Sequence, residues 1–163
     1  MVTLRCTERL LRKHPGPLVH PVDDLKPTLG NWHANLVRLG PTPVVLAVND
    51  VSLLAVILPG RNFGNLLAAF KDRLMRRLIR LGVSADRMAH ETAAAQCIRV
   101  DRTDSRSVLG SMNDFVFQLR WRFDEGRGLQ DADHLEDELG EVPMSVLKYS
   151  NPEEVARAAF GLR

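Results

Sequence analysis

Two apolar runs separated by a two-residue turn limit this chain more than any other feature. Pro43 to Val48 (P-V-V-L-A-V) and Val51 to Leu58 (V-S-L-L-A-V-I-L) are rich in β-branched residues, and Asn49-Asp50 between them favours a tight reversal. Both runs are too short for buried helices and are apolar at successive positions. Each should therefore be a strand with its two faces covered, placed centrally in a sheet between layers. Just upstream, Trp32, Ala34 and Leu36 alternate with His33, Asn35 and Val37, and Leu39-Gly40-Pro41-Thr42 turns the chain. Three strands with short turns read as an antiparallel meander.

The covering layers are also visible. Phe63, Leu66, Leu67, Phe70, Leu74, Leu78 and Leu81 form one stripe at helical spacing, closed by Gly82. Val108, Met112, Phe115, Leu119 and Phe123 form a second within Ser107–Phe123. Residues 2–6 and Cys97–Val100 supply one or two further strands. Short helices are expected over Thr7–Lys13, with Thr7 as N-cap, and over Ala85–Ala95. Others should span Gln130–Leu139 and follow Asn151-Pro152, where Asn caps and Pro takes the first helical position. His14 to Thr28 holds four of the nine prolines and reads as a loop or flap.

The expected fold is α+β: a three-strand antiparallel meander plus one or two strands, packed by two long helices. Residues 1–125 form the core domain, and 126–163 a helical extension packed on it. Ala68, Ala69, Gly64 and Gly110 are small enough to permit close helix approach.

At 163 residues, with 45% hydrophobic and 26% charged residues, the chain can bury a core without staples. Cys6 and Cys97 sit in apolar runs and read as buried thiols of a reducing compartment. The N-terminal residues carry charges every few positions, unlike a signal peptide, and no apolar run is long enough to span a bilayer, so a cytoplasmic, non-membrane protein is expected. The net charge of +2 hides a split: residues 1–100 carry 14 Lys/Arg against 7 Asp/Glu, and residues 101–163 carry 8 against 13. Such halves either attract each other or leave a basic binding face.

The chemistry-bearing residues concentrate at a strand-to-helix junction, Thr103 to Asp114. Arg102, Ser105, Arg106, Ser107 and Ser111 crowd a helix start, where unpaired N–H groups and the dipole favour an anion. One hydroxyl should cap the helix, whose start is expected between Asp104 and Ser107. Gly110 in the first turns suggests close backbone approach by a strand or ligand. Were the first strand to neighbour Cys97–Val100, Arg5 would join this anion-binding set as a bidentate donor.

His33 and Asn35 share one face of their strand, where they can polarise a substrate or simply satisfy each other at a sheet edge; the structural reading is preferred. Arg73, Arg76, Arg77 and Arg80 form a basic stripe opposite the leucines of their helix. Its charges find relief in solvent, in the acidic Asp131–Glu138 segment, or in nucleic acid. The last is possible but not favoured, because no aromatic side chains interleave with the arginines. No metal is expected: His90-Glu91 lacks a second histidine at a matching position. No cofactor is expected either, and no nucleophile elbow surrounds the serines.

Four segments in order, L-R-C-T-E-R-L-L, L-G-N-W-H-A-N-L, V-V-L-A-V-N-D-V-S-L and R-S-V-L-G-S-M-N-D-F, resemble those of a small bacterial and archaeal domain family of unknown function. The resemblance covers about residues 2–123. Members of that family stand alone or are joined to a domain named after a plasmid open reading frame, which implies a loose tie to mobile elements and no transferable activity. The leading expectation is a non-enzymatic binding module, its partner a protein or an anionic ligand. The alternatives are an enzyme acting on a phosphate-bearing or nucleic-acid substrate, and a DNA-binding accessory protein using the arginine stripe. Convergence of Arg5, His33, Asn35, Arg102, Ser105, Arg106 and Ser107 is the condition for the enzyme.

Overall fold

The computed structural model describes residues 1–13 and 25–163, so the expected loop at His14–Thr28 lies mostly outside the described residues. Five strands form one sheet: β1 (Val2–Cys6), β2 (Trp32–Leu39), β3 (Thr42–Asn49), β4 (Ala55–Pro59) and β5 (Ile98–Arg102), in the order β4-β3-β2-β1-β5. The meander β2-β3-β4 is antiparallel, as the short turns require. β1 is parallel to both β2 and β5, so the sheet is mixed. The fold is α+β.

Each face carries its own core. On one side Leu66, Phe70, Leu74 and Leu78 of α2 (Leu66–Arg80) pack on Leu4, Trp32, Ala34, Val45 and Val56. The Trp32 and Phe70 rings meet edge to face at 5.3 Å. On the other, Met112, Phe115 and Leu119 of α4 (Arg106–Asp124) cover Val37, Leu46, Val48 and Ile57. β3 is thus sandwiched between layers, which explains its unbroken apolar run from Val44 to Val48.

β4 departs from expectation. It sits at the sheet edge, and residues 51–54 belong to the turn instead of the strand. Asn49 organises that turn: its Oδ1 accepts from the Val51 and Ser52 amides and the Ser52 hydroxyl, and its Nδ2 donates to the carbonyls of Leu29 and Asn31. β4 stays apolar because its outer edge is also covered. α5 (Ala132–Gly140) packs there, and the buried Glu136 carboxylate accepts the outward-facing Ile57 amide at 2.8 Å. A sheet edge is thereby closed to other strands.

The smaller helices α1 (Glu8–Leu11), α3 (Ala85–Ala94) and α6 (Pro152–Ala159) complete the layers. Asn151 caps α6 in a reciprocal box with Glu154. Thr7 stands at the N-cap of α1, yet its hydroxyl donates to Asn35 Oδ1 and makes no cap. Gly110 faces open space, a Cβ at Gly64 would meet only the Asn62 side chain at 3.9 Å, and Ala68 is exposed, so they do not mediate close approach. Gly60 and Gly140 do: a Cβ at Gly60 would meet the Pro43 carbonyl carbon at 2.6 Å, and one at Gly140 would strike Arg77 and Glu153. Cys6 and Cys97 are free; burial pushes the Cys6 thiol up to about 12. Among the described residues no helix is long and apolar enough to cross a membrane.

Candidate functional site

The parallel pairing of β1 with β5 and β2 places Arg5 between Asp101 and His33 in register. Arg5 therefore does reach the start of α4, where its guanidinium lies 3.4 Å from Asp104. His33 is fully buried, and its Nδ1 lies 2.7 Å from Thr103 Oγ1 in the loop leading into α4. Burial, then the nearby Arg5, holds the His33 ring below the ordinary histidine range, so it is neutral near pH 7. Its Nε2 is buried without a hydrogen-bond partner, as is Asp50 Oδ1. Burial pushes the Asp50 carboxyl up.

The remaining junction residues are spoken for or turned outward. α4 begins at Arg106 with Ser105 as N-cap, its Oγ accepting from the Val108 amide at 3.2 Å. Ser111 is buried and donates to the Ser107 carbonyl. Arg102, Arg106 and Ser107 are exposed. Nothing approaches Gly110, so the close contact expected there is absent; on the solvent side of α4 nothing needs that space. An anion at this corner would find Arg5 already beside Asp104, with Asp50 and Asp101 close by. The chemistry present is a neutral imidazole able to accept the Thr103 hydroxyl proton.

The basic stripe of α2 resolves into internal pairing. Arg73 lies 2.7 Å from Asp133 and 2.6 Å from Glu136. Arg77 is 1% exposed at its side chain and reaches Asp137 and Glu153 at 2.5 and 2.6 Å. Arg80 pairs with Asp133, Glu136 and Asp137. Only Arg76 faces water, beside Asp72 one turn away. Burial raises the Glu136 carboxyl against the pull of Arg73, the Ile57 amide and Arg80, while Arg80 and Arg73 outweigh burial and hold Asp133 low. This network joins α5 to α2 and to β4. A DNA surface made of these arginines would have to break it. Glu91, paired with His90 in the sequence as a metal candidate, is buried and accepts the Thr28 amide at 2.6 Å, anchoring a loop. Among the described residues no cluster of side chains suits a metal ion.

A second site escaped the sequence. β1 pairs with β2 only through Ala34, so from Asn35 onward the β2 edge has no strand beside it among the described residues. A groove of about 540 Å³ opens there, lined by Arg9 of α1, Asn35 to Arg38 of β2, and Asn113, Val116, Phe117 and Arg120 of α4. Among the described residues its lining contains no carboxylate. Arg9 and Arg120 make no ion pair among the described residues, and Arg38 reaches only the Pro41 carbonyl at 3.4 Å. Phe117 is 76% exposed and Trp121, one turn on, 67%. The one available signal was the helical period of α4, which leaves Phe117 and Trp121 off its buried stripe. Arg9 and Arg38 are far apart in sequence and gave none.

No curated protein and no solved structure matches the chain. A family model described as Domain of unknown function (DUF6933) matches residues 3–155. The match runs well beyond residue 123, through α5 and into α6.

Proposed function

The chain belongs to this family of unknown function, and we propose that it is a non-enzymatic binding module that takes an anionic partner in the groove between α1, β2 and α4. One observation carries the reading: three arginines from three separate elements line a single groove that, among the described residues, holds no carboxylate. Cations brought together by the fold without a carboxylate partner among the described residues repel one another, and an anion relieves them. Arginine suits this task because it stays charged and presents a fork of donors to oxyanions. Asn35 and Asn113 add neutral donors at the same place.

The enzymatic alternative draws on the His33–Thr103 contact. It is the weaker reading, since the Arg5 that would hold a phosphate there already sits beside Asp104. The accessory DNA-binding alternative loses its surface to the α2–α5 ion pairs. A cytosolic setting agrees with two free cysteines, one buried.

Calorimetric titration with sodium tripolyphosphate at low ionic strength tests the proposal. The intact protein binds, and Arg38→Ala with Arg120→Ala weakens binding by about tenfold or more, as expected for the loss of charge-assisted contacts. Arg76→Ala leaves it unchanged. A double variant that binds like the parent removes the groove as the site.

A further inference from the structure

The groove does not end at its own rim. On one side it shares Arg9, Leu36, Val37 and Arg38 with a depression of about 300 Å³ that adds Lys13 and Phe63. On the other it shares Phe117 with a third, of about 450 Å³, walled by Gln118, Trp121 and Arg122. The first two flank the open β2 edge, and the third adjoins them along α4 through Phe117. Among the described residues no Asp or Glu lines any part of this track. A track this free of carboxylates suits a polyanion longer than one phosphate.

Its second property is aromatic. Phe117 and Trp121 stand at i and i+4 on α4 and so share a face, with Arg120 beside them. Both rings are mostly exposed, whereas Trp32, Phe70, Phe115 and Phe160 are buried in the core. Arg122, on the far side of the rings, is held by Glu138, whereas Arg120 has no ion pair among the described residues. Large flat rings left in water beside such an arginine mark a binding surface. The interleaving that α2 lacks is present here.

We infer that this track binds single-stranded nucleic acid, with phosphates on Arg9, Arg38 and Arg120 and bases stacked on Phe117 and Trp121. The inference rests on the anion-binding reading above and gives it a ligand class. A charged groove that follows the backbone, with rings that accept any base face, is how single strands are held without sequence readout. Bases must be unpaired to reach those rings, which favours a single strand over a duplex. An acidic peptide would satisfy the arginines, but its carboxylates bring no flat face to the two rings.

The test uses fluorescence anisotropy of a labelled 12-nucleotide oligo-dT with the whole chain, competed by tripolyphosphate and by a poly-glutamate peptide of equal charge. The oligonucleotide is expected to bind more tightly than either competitor, with affinity falling steeply as salt rises. Phe117→Ala with Trp121→Ala should weaken the oligonucleotide about tenfold or more while leaving tripolyphosphate binding as it was. Both positions are exposed, and circular dichroism checks that the fold survives. An aromatic variant that binds the oligonucleotide normally overturns the inference and leaves the anion groove standing. So does poly-glutamate binding as tightly as oligo-dT, which would make the occupant an acidic protein segment. Binding of neither oligonucleotide nor tripolyphosphate removes both the inference and the reading beneath it.

Discussion

Two regions of this molecule are rich in arginine, and they behave oppositely. On α2, Arg73, Arg77 and Arg80 are drawn into a lattice of carboxylates from α5 and α6, one of them fully buried. At the β2 edge, Arg9, Arg38 and Arg120 face a groove with no acid in its lining among the described residues. The first set stands at consecutive helical positions and looks like a binding stripe. The second is scattered over more than a hundred residues and looks like nothing. Clustering in sequence here reflects an internal interface. The open charge is the one assembled by tertiary contacts.

The sharpest way to break this contrast is at Glu136, the shared carboxylate beneath Arg73 and Arg80. Glu136→Leu leaves two partly buried guanidinium groups short of a partner and the Ile57 amide without an acceptor. The expected loss is about 3–5 kcal/mol, as when one member of a buried pair is removed. Urea unfolding measures it, and a loss under about 1 kcal/mol would mean that the network is no more than a solvated face.

A smaller effect separates the groove from the α4 corner by pH. Arginines keep their charge from pH 6 to 8, so binding in the groove should be flat across that range. Stability should not be. His33 has a depressed value in the folded state, so the unfolded chain takes up its proton first as pH drops. The stability it contributes is present above about pH 6.5 and is lost as pH falls from there through the folded value, at a slope of up to about 1.4 kcal/mol per pH unit. His33→Gln should flatten that part of the melting-temperature profile. Groove affinity that titrates with His33 would shift the binding site to the α4 corner.

The smallest effect is the complement of the first. Arg38→Ala and Arg120→Ala break no ion pair, only a long exposed contact from Arg38 to the Pro41 carbonyl, and should change unfolding free energy by less than about 0.5 kcal/mol each, despite their effect on ligand. A large loss in either would show that these arginines too serve the fold.

Much of the architecture was legible because it depends on local pattern. The alternation in β2, the unbroken apolar β3 and the two helical stripes announced the meander and its covering layers. The core positions Trp32, Val45, Val56, Phe70, Leu74, Met112, Phe115 and Leu119 are buried as that pattern requires. The Ser105 cap and the Asn151-Pro152 start were readable as well, since caps act within one turn of their own residue. The edge position of β4 was not. An apolar strand reads as central whether a strand or a helix covers its side, and only Glu136 on Ile57 distinguishes the cases.

The sequence by itself determined the elements, their inward faces and the presence of opposite charges in its two parts, because period, caps and composition are short-range properties of the chain. Tertiary structure alone decided which charges meet. It set Arg5 between His33 and Asp101, joined α2 to α5, and left Arg9, Arg38 and Arg120 around one groove. Such meetings depend on strand order and register across distant segments, where one residue of slip turns every side chain to the other face.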